Sequence, residues 1–497
     1  MAAEKVDLSL LQRLQHLNPM LLFVMAYMSM CSFNFGYDVG VFSGVQAMNS
    51  FGQRFGEYNE KREAGVSAAD TSQGDVAADP RSCACALSAS GVVLQVAAVN
   101  SAMFTIGRIF TFGMTGMAIV VVPIYNAETC PQVLRGMFSS TLQLMISLGS
   151  LVASCVTYGT NNTRGDAGWR IPTGLQFIMP AFLLLLYPFI PESPRWLLSQ
   201  NRREDALTNL RRLRPGTTEE ALEFEIEALL RAHQNETQGS WAEVFNPSNR
   251  DRTAVAVFAM FGQQITGQAF GSKYGVVFYQ SQGFGDRSFL FGIISGVISL
   301  VGIVFTWLYA DGLGRRPILM TGGSLMGVFL MILGGMGTID QGSLNSNEKG
   351  LMVASLMLFG FFYSVSWAPI SYVVVSEAAA LHVKEQTNLL ACVISVLTTF
   401  VTSFTIPYLI NERYANLGGK VGYVYGSINI IMVALTYFII PELKGRSLEE
   451  VDQLFASGAP LRKFHTVHTR NAQEIHREEI DRKVQQKVPE VTDKAVN

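Results

Sequence analysis

The sequence has little charge. Asp, Glu, Lys and Arg make up 15% of its 497 residues, whereas soluble domains average about 25%. Hydrophobic residues make up 49%, and they gather in runs of about 20 residues, long enough to cross about 30 Å of hydrocarbon. A soluble fold is therefore excluded, and the sequence predicts an all-α polytopic membrane protein. Eleven spans are predicted, at about 20–46, 83–101, 103–127, 134–158, 169–190, 252–281, 287–310, 317–337, 350–377, 387–410 and 421–440.

The spans also lack histidine. None of the six His residues falls inside a span, which argues against a histidine proton relay and against haem or metal redox chemistry. Of the six cysteines, only Cys83 and Cys85 have the spacing of metal ligands, and no second pair completes a site. No nucleophile–base set, cofactor motif or nucleic-acid signature is present. We therefore expect no enzyme activity, no cofactor, no metal and no nucleic-acid partner.

One carboxylate stands inside the first span. Asp38 lies in "CSFNFGYDVGVFSG" (31–44), within a stretch that is otherwise apolar or small. A charge near the centre of a membrane helix costs at least about 2.5–3.5 kcal/mol on insertion scales. Asp38 therefore needs a partner or a function, and it is the first candidate functional residue.

Polar segments divide the spans into two groups. The internal segment 191–251 has the pattern of amphipathic helices, and both it and the tail are rich in basic residues, which assigns them to the cytoplasm. The predicted organisation is a cytoplasmic N-terminus (1–19), a first helical bundle (20–190), a cytoplasmic linker (191–251), a second bundle of six helices (252–441) and a cytoplasmic tail (442–497), disordered beyond about 460.

The two groups of spans repeat the same landmarks. In the first group, Glu128 precedes Arg135 by seven residues, and in the second, Glu377 precedes Lys384 by seven. A Pro-Glu pair follows the first glutamate by 63 residues and the second by 64. Such parallel repeats are typical of transporters that bind substrate between two similar bundles, near the middle of the membrane.

Five motifs carry a resemblance to a known family. They are "VPIYNAETCPQVLRG", "PESPRWLL", "QQITGQAF", "GRRP" after Asp311, and "PELKGRSLEE". In this order and spacing the chain resembles the sugar porters of the major facilitator superfamily, most closely the fungal sugar/H⁺ symporters. The resemblance covers the chain except for about residues 50–82 and the tail. It implies the two-bundle major facilitator fold and proton-coupled sugar uptake by alternating access.

The resemblance also assigns the proton-coupling pair. Asp38 matches the position where proton-coupled members keep Asp and many uniporters have Asn. Arg108, in "FTIGRIF", matches an arginine of the fourth family helix and is the expected partner of Asp38. Protonation of Asp38 would weaken the pair and release the bundles to move, so that proton and sugar travel together. The alternative is that Arg108 lies near the membrane boundary and binds only lipid phosphate.

Sugar recognition needs hydrogen-bonding groups on apolar walls, with aromatic faces for the C–H side of the ring. The predicted sugar-binding residues are Gln143, Gln263, Gln264, Tyr274, Tyr363 and Tyr372. The glutamines could instead bond across the bundle. Ala269, Lys273, Ala368 and Tyr372 depart from the residues usual in the family, so hexose, pentose, disaccharide and polyol all remain open as substrates.

A set of charged residues is predicted to gate the cytoplasmic side. In the family, such groups link the two bundles when the cavity faces outward and separate when it faces inward. The alternative is ordinary positive-inside topology, which explains the arginines but not the matching glutamates. The set comprises Glu128, Arg135, Glu192, Arg195, Asp311, Arg315, Arg316, Glu377, Lys384, Glu442 and Arg446.

The second family helix is missing from the sequence. Residues 54–82 carry ten charged residues and no run that could cross a bilayer. Counting one span forward from the cytoplasmic N-terminus puts residue 50 on the outer side of the membrane. Counting four spans back from the cytoplasmic segment 191–251 puts residue 82 on the cytoplasmic side. Either the first helix is inverted, which would misplace Asp38 relative to Arg108, or the sequence lacks a segment, for instance through a faulty splice assignment. We favour the second explanation.

The expected partners are a sugar, a proton and the lipid bilayer, and the expected state is a monomer in the plasma membrane. A non-transporting role, as an inactive relative or a sugar sensor, remains the alternative. Fungal sensors of the family usually have a longer tail than residues 442–497, which weighs against sensing, whereas the missing helix favours inactivity.

Overall fold

The computed structural model describes residues 18–55, 80–129, 135–163, 165–235, 240–339, 345–410, 414–444, 446 and 448–467, and within them the regular structure is helical without strands. The N-terminal half contains α1 (Pro19–Gln46), α2 (Asn49–Phe55), α3 (Pro80–Val96), α4 (Ser101–Thr129), α5 (Arg135–Thr160), α6 (Ala167–Leu175) and α7 (Ile178–Leu186). The linker contains α8 (Pro194–Ser199), α9 (Arg203–Leu213) and α10 (Glu219–Asn235). The C-terminal half contains α11 (Arg250–Ile265), α12 (Gln268–Lys273), α13 (Gly275–Tyr279), α14 (Arg287–Leu313), α15 (Arg315–Met336), α16 (Ser346–Val365), α17 (Trp367–Ala378), α18 (Lys384–Ile410) and α19 (Val421–Ile439), and the tail contains α20 (Leu448–Ala456).

Eight helical segments within the described residues are long and apolar enough to cross a membrane. They are Pro19–Gln46, Thr141–Thr160, Ala167–Phe189, Arg287–Thr306, Arg315–Met336, Ser346–Ala378, Lys384–Ile410 and Gly418–Ile439. The other three predicted spans, 83–101, 103–127 and 252–281, are also largely helical. The main difference lies between the first two of these spans. The helix α3 ends at Val96, five residues before the predicted end of the span 83–101, and a turn separates it from α4.

The described residues on the two sides of segment 56–79 lie at opposite ends of the bundle. At the end of the linker, Asn18 Nδ2 donates to the Leu213 carbonyl (2.7 Å) just before α1. At the other end, the Phe55 ring packs 5.1 Å from Trp169 and 5.5 Å from Phe104, near the start of α4. Since α3 packs back along α4, Pro80 returns to the linker end.

The first helix is therefore not inverted, and the chain has to change sides between Phe55 and Pro80, as the span count predicts. The irregular polar segment predicted for 57–82, and the space expected beside it, fall mainly on residues 56–79, which lie outside the described part of the chain. The last residues of that range, 80–82, already belong to α3.

Glycines bring α1 and α5 into close contact. A Cβ on Gly36 would lie 1.8 Å from the Ile146 carbonyl oxygen, and one on Gly149 would lie 2.2 Å from that of Phe33. Small residues let membrane helices approach closely, where van der Waals packing drives association. We infer that this packing fixes the position of Asp38, which lies two residues after Gly36.

The two halves use corresponding helix pairs. Helix α1 packs along α5 as α11 packs along α18, and α3 packs along α4 as α15 packs along α16. Helix α14 crosses between the halves and packs on α5. If the two halves are related by a two-fold axis, the counterpart of α14 in the first half is the second family helix. Because α18 corresponds to α5, that helix would pack on α18. On α18, the side chains of Val396, Leu397 and Phe400 are 64%, 55% and 49% exposed.

The linker and the tail have small apolar cores of their own. In the linker, Leu197, Leu210 and Ile226 are buried where α8, α9 and α10 meet. Arg211 donates two hydrogen bonds to Glu219 (2.7 and 2.8 Å), which lower the pKa of that carboxyl. In the tail, Phe464 is buried against α20. The predicted disorder beyond about 460 falls mainly on residues 468–497, which lie outside the described part of the chain, and it stays a prediction; before them, Leu461–Thr466 form a 3₁₀ helix.

Candidate functional site

Asp38 and Arg108 form a buried ion pair. Helices α1 and α4 bring Arg108 Nη1 to 2.6 Å from Asp38 Oδ1, and the two residues are only 6% and 3% exposed. The guanidinium also lies over the rings of Phe42 (4.4 Å) and Phe112 (4.5 Å). Arg108 therefore lies inside the protein, not at a lipid headgroup.

A third residue joins this pair that the sequence analysis missed. Gln176 Nε2 donates to Asp38 Oδ1 (2.9 Å). Its signal in the sequence is that it is the sole amide of the span 169–190. Among the described residues, Asp38 Oδ2 and Arg108 Nη2 have no hydrogen-bond partner. Among the described residues, the carboxylate is thus held through Oδ1, while Oδ2 is buried without a hydrogen-bond partner.

The two predicted glutamines of the second half lie where its first long helix breaks. Gly267, with φ +98°, interrupts the helix between α11 and α12. Just before it, Gln263 Nε2 donates to the Ala368 carbonyl (2.9 Å), and Gln264 Nε2 donates to Gln263 Oε1 (3.0 Å). Tyr372 lies one turn after Ala368 on α17. Gln263 is buried and Gln264 is half-buried, so Gln264 is the more accessible of the two.

The remaining predicted sugar residues are half-buried. Tyr363 lies close to Tyr372, and its ring stacks on Phe359. Tyr274 Oη donates to the Ser403 carbonyl (3.4 Å). Gln143 is on α5, on the other side of the interface between the halves. The structure therefore brings together Gln263, Gln264, Tyr363 and Tyr372, while Tyr274 packs on α18 and Gln143 lies in the opposite half.

The described gating residues form a network at the linker end of the second half. Arg315 makes a two-point contact with Glu377 (2.9 and 3.2 Å). The Glu442 carboxylate accepts hydrogen bonds from the backbone N–H groups of Arg315 (3.1 Å) and Arg316 (3.0 Å), and it thereby caps α15. A carboxylate at a helix N-terminus is favourable because it compensates unpaired N–H groups and the helix dipole.

The other gating residues make more peripheral contacts. Glu192 lies 3.6 Å from Arg202 within the linker. Arg316 stacks over Tyr437, and Arg446 donates to the Val467 carbonyl (2.9 Å). Arg195 and Lys384 are half-buried. The side chains of Glu128, Arg135 and Asp311 lie outside the described part of the structure.

Replacing Glu442 by Ala should lower the melting temperature of the purified protein. The variant leaves two N–H groups of α15 without their acceptor, a loss of about 1–2 kcal/mol by analogy with helix caps. Thermal unfolding in detergent measures it. Glu442→Gln, which keeps one acceptor oxygen, should lose less. Equal melting temperatures for the parent and Glu442→Ala would show that the cap contributes nothing.

The two halves are joined at the end opposite the linker. Ser43 Oγ donates to the carbonyls of Ser272 (3.0 Å) and Lys273 (3.1 Å), and Gln280 Nε2 donates to that of Ala47 (2.9 Å). An apolar cluster centred on α1 also includes Phe289 of α14. These contacts close the bundle at the end opposite the linker.

The fold and the site define a class: a multi-pass membrane protein of two helical bundles, with a buried ion pair in one bundle and paired amides in the other. The sequence matches the family described as "Sugar (and other) transporter" over residues 81–455, which is more than half of the chain. The chain belongs to this family.

Individual comparisons agree with that assignment. The chain is 29% identical over 464 residues to the galactose transporter of Saccharomyces cerevisiae, covering 86% of this chain and 79% of that protein. It is 30% identical over 378 residues to the high glucose sensor of the same yeast, covering 73% of this chain and 49% of that protein. The proton:xylose symporter XylE of E. coli has the same fold, with a TM-score of 0.67, 22% identity, and coverage of 88% of this chain and 99% of that one. The protein is thus a member of the sugar (and other) transporter family with the fold of XylE.

Proposed function

We propose that the protein takes up a sugar together with a proton, by alternating access, as a monomer in the plasma membrane. The observation that carries proton coupling is the buried contact of Asp38 with Arg108 and Gln176. A carboxylate at this depth is costly unless it is paired, so its protonation changes the balance of forces inside the bundle. The matching family and its sugar-transporting relatives support the sugar as substrate.

In the proposed mechanism, the charged pair favours one conformation. With Asp38 ionised, Arg108 attracts it with about 4 kcal/mol at 4 Å and an effective dielectric constant near 20. A proton on Asp38 removes most of this attraction, which is enough to shift a two-state equilibrium about a thousandfold. The closed end at Ser43 and Gln280 is the arrangement expected of an inward-facing state, in which the gating groups of the two halves are apart.

In this proposal the sugar lies against Gln263, Gln264, Tyr363 and Tyr372. The amides offer donors and acceptors at once, and the tyrosines offer aromatic faces with polar tips. Tyr274 and Gln143 would complete the site from α18 and from the other half. The gating set would close the linker end when the cavity faces outward; exposed pairs contribute only about 0–1 kcal/mol each, so the gate would act as a network.

Gln263→Ala and Gln264→Ala should each weaken sugar binding by about 1–3 kcal/mol, because a buried sugar hydroxyl loses its partner. Calorimetric titration of the purified protein in detergent measures this loss, and thermal unfolding checks that the variants are folded. Gln200→Ala, at an exposed position of the linker outside the proposed site, is the matched control and should bind as the parent does. Equal affinities for all variants would remove the two glutamines from the site.

The direct test of transport is uptake of labelled sugars by cells that lack their own sugar porters, with surface expression measured in parallel. Sugar sensing is the second candidate, because a relative is a glucose sensor and the second family helix is missing here. Sugar binding without uptake, even after the missing helix is restored, would favour the sensor.

A further inference from the structure

Lys273 is a cation inside the bundle that the proposed transport cycle does not use. It ends α12, within the predicted span 252–281, and it is half-buried. Its Nζ donates to Ser403 Oγ of α18 (2.9 Å). Within the described part of the chain, no carboxylate lies at ion-pair distance from Lys273.

The backbone of Lys273 lies at the interface between the halves. Ser43 of α1 donates to its carbonyl (3.1 Å), and Ser43 is only five residues after Asp38 on the same helix. Asp38 in turn contacts Arg108 of α4, with 2.6 Å between Oδ1 and Nη1. Among the described residues, two cations therefore lie in this region near one carboxylate, Asp38, which already pairs with Arg108.

This cluster has one positive charge in excess. Ionisable groups inside membrane proteins are costly and are usually paired or functional. Among the described residues, the ammonium group of Lys273 contacts a neutral hydroxyl, that of Ser403. A ligand with one negative charge would neutralise the excess positive charge of the cluster. A phosphate ester, with about −1.5 to −2 charges at neutral pH, would overcompensate beside Asp38.

We propose that Lys273 binds the carboxylate of the substrate, and that the substrate is a sugar acid with one negative charge, such as a hexuronate. This inference rests on the proposed sugar site and specifies its substrate class. The glutamines and tyrosines bind the hydroxyl groups and the ring, and the ammonium group of Lys273 exchanges its contact with Ser403 for the carboxylate. Such charge-assisted hydrogen bonds are about twice as strong as neutral ones.

The experiment compares each hexose with the uronate formed by oxidation of its C6. Dissociation constants of the full chain in detergent are measured for glucose and glucuronate, and for galactose and galacturonate. At least one uronate is expected to bind at least about tenfold more tightly than its parent hexose. Lys273→Met, of similar length but neutral, should lose that preference while hexose affinity changes less than about twofold. Lys273→Arg should retain it, and Lys420→Met, outside the site, should behave as the parent protein.

The possible outcomes distinguish failure of the uronate inference from failure of the proposed sugar site. Binding of hexoses without a preference for uronates would overturn the inference and leave the proposed sugar site intact. A uronate preference that survives in Lys273→Met would assign the carboxylate to another residue and overturn it as well. If a folded protein binds neither kind of sugar, the proposed function fails, and the inference fails with it.

Discussion

Replacing Asp38 by Asn should abolish the accumulation of sugar against a gradient, while exchange of labelled sugar between equal pools continues. The amide imitates the protonated carboxyl permanently, so Arg108 loses its charged partner whatever the pH. Because Gln176 and Arg108 can still donate to the amide oxygen, the helices should keep their positions. The carrier can then change conformation with sugar alone, and the proton gradient no longer drives it.

Reconstituted vesicles with an imposed pH gradient give both measurements in one preparation. Asp166→Asn is the matched control, because it makes the same chemical change in a carboxylate that is 36% exposed beside Arg170. It should accumulate sugar as the parent does. Unchanged accumulation by Asp38→Asn would refute the proton-coupling role. We expect little uptake from a chain that lacks the second family helix. Both variants are therefore measured twice, once in the chain with its present sequence and once in a chain into which a second helix has been inserted.

The second large effect is expected from the missing helix. The chain should transport poorly or not at all as it stands, and inserting a family-like second helix with its Gly-Arg-Arg loop should restore uptake. Phe55 and Pro80 lie at opposite ends of the bundle, yet residues 54–82 offer no apolar run between them. Polar backbone without partners is not tolerated in hydrocarbon, where each unsatisfied group costs several kcal/mol. The N-terminal half should therefore be the less stable one.

The inserted helix has an expected place. By the two-fold correspondence with α14, it should pack on the face of α18 where Val396, Leu397 and Phe400 are about half exposed. Uptake into cells without sugar porters, corrected for surface expression, should rise at least about tenfold. An insertion of equal length made of Gly and Ser should not restore it. Robust, saturable and proton-dependent uptake by the chain itself would show that the helix is dispensable. Sequencing the transcript across codons 50–90 tests the splice explanation directly.

Much of this architecture could be predicted from the sequence because the membrane imposes it. A run of about 20 apolar residues has few alternatives to a spanning helix, so the predicted spans agree with helices in the structure apart from small shifts of boundary. The repeated Glu-Arg and Pro-Glu landmarks indicated two similar halves. The missing helix stays a prediction, because residues 56–79 lie outside the described part of the chain; it rests on the ten charges between 54 and 82, which cannot be placed in a bilayer.

The sequence by itself determined that Asp38 and Arg108 are charges inside apolar runs and therefore costly. Only the tertiary structure decided how those costs are met, because partners in a helical bundle are set by packing between segments far apart in the chain. Close contact of α1 with α5 and of α1 with α4 brings Arg108 to Asp38 and leaves room for Gln176, 138 residues away. Among the described residues, the same packing gives the ammonium group of Lys273 the hydroxyl of Ser403 as its contact, and no spacing along the sequence encodes that difference.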